Sequence, residues 1–182
     1  ALTQKLVTLG HVVTIFDNNS RGSMSKINNI LDKITFVEGD IRNRNAVYKA
    51  MKKCNHIFHL SFINGTKFFY EKPELVLDVG VKGAINTLEI AKELNFDSYI
   101  MASSSEIYNE PTKIPTTEKE RAIITDMKNP RFSYAAGKLI SEVLTINYLR
   151  KTKTRDLIFR PHNIFGPNMG FEHVIPEIVK KI

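Results

Sequence analysis

Tyr134 and Lys138 lie four residues apart in a stretch, Phe132 to Arg150, whose apolar spacing is helical, so the two side chains share one face. An ammonium beside a phenol favours the phenolate, which would make Tyr134 a usable base near neutral pH with Lys138 tuning it. An ordinary surface pair has the same spacing, so the pair needs company to mean chemistry. Upstream, Ala102-Ser103-Ser104-Ser105-Glu106-Ile107-Tyr108 leaves an apolar run carrying three hydroxyls and a carboxylate. Hydroxyls such as Ser104 and Ser105 at a strand end can bond a substrate hydroxyl and relay its proton; a serine-rich turn without function reads the same way. Two further carboxylates follow apolar runs. Asp17 could accept both hydroxyls of an adenosine ribose and repel a 2′-phosphate, favouring NAD over NADP, or could close an Asx turn. Asp40, in Gly39-Asp40-Ile41-Arg42, could accept from an adenine amino group or cap the following helix, and the two roles are compatible.

The elements that must position these residues alternate between short Val/Ile/Phe-rich runs and helix-period segments, which is the pattern of βαβ units and a parallel sheet. A helix over Leu2–Leu9, closed by Gly10, precedes a strand at His11–Phe16; a second strand is expected at Ile34–Val37. A helix at Asn43–Lys53 leads to a strand at His56–Leu60. Pro73 opens a long helix reaching Leu94, since proline suits a first turn. Strands at Asp97–Ser103 and Leu157–Arg160 flank the helix Phe132–Arg150, and Pro176 opens a last helical piece. The order without hairpins predicts an α/β fold with a doubly wound parallel sheet of the Rossmann type, which binds ligands at the carboxyl ends of its strands. Every polar cluster named above falls at such an end.

The order of the motifs resembles the extended short-chain dehydrogenase/reductase family, and within it the NAD-dependent nucleotide-sugar epimerases and dehydratases. His11 to Gly22 is similar to that family's second strand and ribose loop, His59-Leu60-Ser61 to its His-Leu-Ala cofactor loop, and Arg160-Pro161-His162-Asn163-Ile164-Phe165-Gly166-Pro167 to its substrate-side Arg-Pro-x-Asn-x-(Tyr/Phe)-Gly-Pro. The resemblance implies Tyr134 as base, Lys138 on the nicotinamide ribose, Ser104 as the catalytic hydroxyl, and Asp17, Asn18, Asp40, Ile41 and Leu60 around NAD. It implies Ser104, Ser105 and Asn163 at the substrate, a nucleotide-diphosphate sugar. The expected reaction is 4-epimerisation through a transient 4-keto sugar. A 4,6-dehydratase, in which Glu106 would be the base at C5, and a UDP-glucuronate decarboxylase are the alternatives. Gly80 departs from the pattern, standing where the family has an Asn, and His162 is read as packing. The two long helices, Pro73–Leu94 and Phe132–Arg150, carry more apolar residues than one buried stripe requires, and the resemblance implies a homodimer through a four-helix bundle.

The bulk properties agree with one domain: 42% hydrophobic and 25% charged residues, with one cysteine, Cys54. That cysteine count offers no disulfide framework and no metal site, so a reducing, cytoplasmic setting is expected. No run is long and apolar enough to suggest a membrane span. The net charge of +7 comes from scattered Lys and Arg concentrated at helix ends, which argues against a nucleic-acid partner. The chain starts within a helix at Ala1 and stops in an apolar-periodic segment at Ile182. Both ends read as cuts, and the resemblance implies that they omit the first strand with its glycine-rich loop and most of the C-terminal substrate region. A non-catalytic dinucleotide-binding protein is the non-enzyme alternative, disfavoured because binding alone does not require Ser104, Tyr134 and Lys138 together.

Overall fold

The computed structural model describes residues 1–164, 166 and 174–181, so Phe165 and Pro167 of the Arg-Pro-x-Asn motif lie outside the described residues. The elements follow the expected alternation. Helix α1 (Leu2–Thr8) precedes strand β1 (Val13–Asp17), which pairs in parallel with β2 (Ile34–Glu38). Helix α2 (Arg44–Met51) leads to β3 (His56–His59), and β4 (Ser98–Ala102) pairs in parallel with both β3 and β5 (Arg155–Phe159). The expected first strand begins two residues late, at Val13, with Val12 almost fully exposed. A 3₁₀ segment, Met24–Lys33, fills a region for which the periodicity gave no element.

The sheet comes in two pieces, β1-β2 and β3-β4-β5. In a doubly wound sheet of order 3-2-1-4-5-6 the break falls at the position of strand 1. A cavity of about 290 Å³ lies there, walled by Val13 to Asp17 on one side and His56 to His59 on the other.

The long helix predicted from Pro73 is not regular throughout. It runs as α4 (Pro73–Leu77), a π-helical turn over Asp78–Lys82, and α5 (Gly83–Glu93), preceded by a short α3 (Thr66–Glu71). The wide turn carries the buried Gly80, and such turns interrupt α-helices mostly where a site needs a local re-aiming of the chain. A 3₁₀ turn, Pro130–Phe132, whose entry Asn129 caps by accepting from the Arg131 N–H, feeds α6 (Ser133–Leu149). The last helix, α7 (Val174–Lys181), starts ahead of Pro176, which sits within its first turn where its missing N–H leaves no bond unmade.

The main core forms where α5 packs between α2 and α6 and over the strands: Ile41, Val47, Met51, Leu88, Ile90, Ala91, Phe96, Tyr99, Met101 and Leu149 are buried together. Each large apolar side chain so buried contributes roughly 1.5–3 kcal/mol. A second, smaller cluster of Phe69, Val76 and Tyr134, with Phe62 and Phe68 against it, ties α3 and α4 to the start of α6. It is this cluster that fixes where Tyr134 stands. Among the described residues no helix is long and apolar enough to cross a membrane.

Candidate active site

The parallel registers bring Asp17 beside Glu38 and Ala102 beside Phe159, so the loops carrying the candidate residues all leave from the carboxyl ends of strands. One group gathers at the ends of β1 and β2. A cavity of about 170 Å³ is lined there by Asp17, Asn18, Gly39, Asp40, Ile41, Leu60 and Phe62, among others. Five of the expected cofactor residues therefore share one wall. Gly39 is needed for its floor, because a Cβ at that position would come within 2.6 Å of the Phe16 ring.

Asp17 closes an Asx turn: its Oδ1 accepts the Asn19 N–H at 2.7 Å, and the side chain remains exposed at the cavity wall. Asp40 does not cap α2: that role falls to Asn43, whose side chain accepts the Ala46 N–H at 3.1 Å. The carboxylate of Asp40 instead receives the Arg42 guanidinium at 2.6 Å and the Arg42 N–H at 2.9 Å, and this pairing holds its pKa below the usual carboxylate range. Arg42 also reaches Asp78 at 2.9 Å, joining the β2 loop to the π-helical turn. Ile41 is buried, and its carbonyl accepts from Asn86 on α5 at 2.9 Å. Leu60 is half exposed at the meeting of the two cavities.

The second group gathers around the end of β4. Ser104 is buried, and its hydroxyl caps the 3₁₀ turn Ser105–Tyr108 by accepting the Glu106 N–H at 3.2 Å. Tyr134 and Lys138 face this loop from the first turns of α6, both buried. The Lys138 ammonium donates to the Ala102 carbonyl at 2.5 Å, pinning α6 to the last residue of β4. Burial lowers the Lys138 pKa to about 8, against the pull of Glu142, whose charge favours the ammonium. For Tyr134 the expectation of a lowered pKa is overturned: burial raises it, the negative charge of Glu106 adds to the rise, and only the hydrogen bond with Ser104 works downward. The reason is that Lys138 points past the phenol to Ala102, with its nitrogen 5.7 Å from the centre of the Tyr134 ring, and desolvation then dominates.

Ser105 is held at the loop by its N–H, which donates to the Pro161 carbonyl at 3.0 Å. Glu106 lies close by, but its carboxylate is paired with Arg131 at 2.8 Å, and Arg131 in turn stacks on Phe69. Asn163 is exposed on the segment beyond β5, and neighbouring His162 is exposed as well, so the packing role expected for His162 is overturned. That segment has left the sheet and passes outside the buried cluster, which leaves an imidazole there in solvent.

Four residues given no role of their own in the sequence lie around this group, two of them, His59 and Arg160, within motifs already quoted. Glu142 and Arg160 form a bidentate pair, Nε to Oε1 at 2.9 Å and Nη2 to Oε2 at 2.7 Å, tying α6 to the end of β5. The available signal was spacing: Tyr134, Lys138 and Glu142 follow one another at four-residue steps on one face. Phe62 gave no sequence signal, being a single aromatic in a loop. His59 is buried, bonded through Nδ1 to Thr87 Oγ1 at 3.3 Å, stacked on Tyr99, and has an Nε2 without a hydrogen-bond partner among the described residues.

The arrangement defines a class: a parallel α/β fold in which a buried tyrosine, lysine and serine gather at the end of one strand. A model of the NAD dependent epimerase/dehydratase family matches residues 1–182, and the chain belongs to that family. The family is one of NAD-dependent enzymes. Among curated relatives, a UDP-N-acetyl-alpha-D-glucosaminuronate decarboxylase of Bacillus cytotoxicus is 28% identical over 182 residues, covering 98% of this chain and 56% of the relative. A UDP-glucuronate 4-epimerase of Arabidopsis thaliana is 33% identical over 139 residues, covering 74% of this chain and 30% of the relative. Among solved structures, a UDP-galactose 4-epimerase superposes with a TM-score of 0.84 at 28% identity, covering 99% of this chain and 57% of that one. The chain thus spans between 30% and 57% of the length of these three relatives.

Proposed function

We propose that the complete protein is an NAD-dependent nucleotide-sugar 4-epimerase, acting through a transient 4-keto sugar. The observation that carries this reading is the convergence of Tyr134, Lys138 and Ser104 at the end of β4, beside the cavity lined by Asp17, Asn18, Asp40, Ile41 and Leu60. The residues present fit a dinucleotide. A Cβ at Gly39 would strike the Phe16 ring beside the cavity, Asp17 presents an exposed carboxylate at the cavity wall, and Lys138 stands with its nitrogen 5.7 Å from the Tyr134 ring centre. NAD supplies the hydride acceptor and donor at C4.

The chain's own residues move the proton. Tyr134, as phenolate, takes the proton of the C4 hydroxyl, and the Ser104 hydroxyl holds that oxygen in place. The hydrogen bond with Ser104 favours the phenolate while burial opposes it. On return, the phenol that burial favours gives the proton back to the C4 oxygen, after the 4-keto sugar has turned its opposite face toward the hydride donor. Glu106 takes no part, because its carboxylate is engaged by Arg131. Epimerisation requires no carboxylate at C5, whereas elimination of water does, and this favours the epimerase over the 4,6-dehydratase. The similarity to a decarboxylase over the whole chain supports a second reading, loss of a C6 carboxylate from the same 4-keto intermediate.

Incubating the complete protein with UDP-glucose, UDP-galactose and UDP-glucuronate, with NMR of the products, separates these. Epimers at C4 are expected. Tyr134→Phe should lower turnover by roughly a hundredfold or more, the scale of general base catalysis. Near-normal turnover in that variant would refute the mechanism. The complete protein is further proposed to be a homodimer through α4–α5 and α6, supported by the exposed Ile140, Val143 and Ile146 along one side of α6. Light scattering that gives a monomer at high concentration would reject this.

A further inference from the structure

Phe62 leaves β3 through a loop and inserts its ring between two helices. An ideal Cβ at Gly80 would lie 2.1 Å from its Cζ, and one at Gly137 would lie 2.7 Å from the same atom. Glycine at both positions is therefore what admits the ring. Gly80 is carried by the π-helical turn and Gly137 by the first turns of α6, one residue before Lys138. Inside this slot the ring meets both members of the acid–base pair. Its face lies under the Lys138 ammonium, 4.3 Å from nitrogen to centroid. Its edge makes a T-shaped contact with Tyr134, with centroids 5.2 Å apart and planes at 84°. Phe62 also lines the cavity at the ends of β1 and β2, so one side chain joins the two groups of site residues.

Lys138 is 2% exposed, and its ammonium has three N–H bonds to satisfy. One goes to the Ala102 carbonyl. An aromatic face at 4.3 Å offers negative quadrupole density to the remainder, which an aliphatic side chain of equal bulk does not.

We propose that Phe62 is a positioning residue: its ring, seated in the slot opened by Gly80 and Gly137, holds the Lys138 ammonium charged and in place beside Tyr134. This rests on the assignment of Tyr134 and Lys138 as the working pair. The charged and titratable groups around Lys138 are Tyr134 and Glu142 on α6 and His59 from β3, with Glu106 beyond β4 acting on Tyr134. Of these, only Tyr134 also touches the Phe62 ring.

The test uses the complete protein labelled with ¹³C and ¹⁵N at its lysine side chains. Lys138→Met identifies the Lys138 signal. In the parent protein that signal should titrate near pH 8, apart from the exposed lysines. Phe62→Leu keeps apolar volume and removes the aromatic face; it should lower the Lys138 midpoint by about half a unit or more, the scale of a desolvated cation–π contact. Gly80→Ala should lower it too, by expelling the ring, and should add little in the Phe62→Leu background, since both changes remove one contact. Where Phe62→Leu does not fold, Phe62→Met and Gly80→Ala make the same measurement. An unmoved Lys138 midpoint in a folded Phe62→Leu or Phe62→Met protein overturns the proposal, as does full additivity with Gly80→Ala. The proposal fails apart from the proposed function: a shifted midpoint in a protein that converts no nucleotide sugar refutes only the epimerase, and an unmoved midpoint in an active epimerase refutes only the role of Phe62.

Discussion

Replacing Glu142 by alanine should destabilise the protein by about 3 kcal/mol, because it strands a guanidinium that cannot give up its proton. Glu142 accepts from Arg160 at 2.9 and 2.7 Å, with its own side chain 6% exposed and that of Arg160 23% exposed. Each such charge-assisted bond is worth about 1.5–3 kcal/mol, and breaking one side of a buried pair costs about 3–5 kcal/mol. Two features place the value at the low end. Arg160 keeps some solvent, and its Nη1 still donates to the Tyr108 hydroxyl at 2.8 Å and the Glu118 carbonyl at 3.2 Å. In a chain of this size about 3 kcal/mol corresponds to a fall in Tm of roughly 6–12 °C. Urea unfolding followed by far-ultraviolet circular dichroism measures it. The double change Glu142→Ala with Arg160→Met should recover much of the loss, since no charge is then left without its partner. The same alanine should lower the Lys138 midpoint below about 8, because the charge of Glu142 favours the ammonium. A loss under about 1 kcal/mol for Glu142→Ala, or a double variant no better than the single, would refute the reasoning.

His59 supplies a pH test. Burial, with the charge of Lys138 adding to it, lowers its pKa from 6.5 to about 3. Between those values the unfolded chain binds a proton that the native state refuses, so stability should fall as pH drops from 6.5 toward 3. His59→Asn should flatten the urea midpoint between pH 7 and pH 5; an unchanged slope would remove His59 as the cause. For Glu106, whose carboxylate is held by Arg131, Glu106→Gln should leave appreciable turnover in the complete protein, with a product that retains all its oxygen by mass spectrometry. Loss of turnover, together with a parent product lighter by one water, would make the protein a dehydratase.

The sequence by itself determined the alternation of strands and helices, the parallel sheet, and the side of the sheet on which chemistry would gather. Those follow from local periodicity: apolar runs of strand length, helical spacing, and polar turns at each strand's carboxyl end. The four-residue step from Tyr134 to Lys138 likewise fixed a shared face before any tertiary contact was known, because helix geometry is local. Which neighbours that face would meet was not local. Lys138 bonds the Ala102 carbonyl rather than serving the phenol, and Tyr134 is raised rather than lowered, because desolvation depends on everything that α3, α4 and the β4 loop pack around it. Asp40 read as a possible cap for the helix after it, but Arg42 claims its carboxylate and the cap falls to Asn43, which no spacing had singled out. Gly80 read in the sequence as a missing amide side chain. In the fold it is half of a slot for Phe62, a partner distant in the chain with no motif to announce it, and only the packing of the π-helical turn against α6 brings the two together.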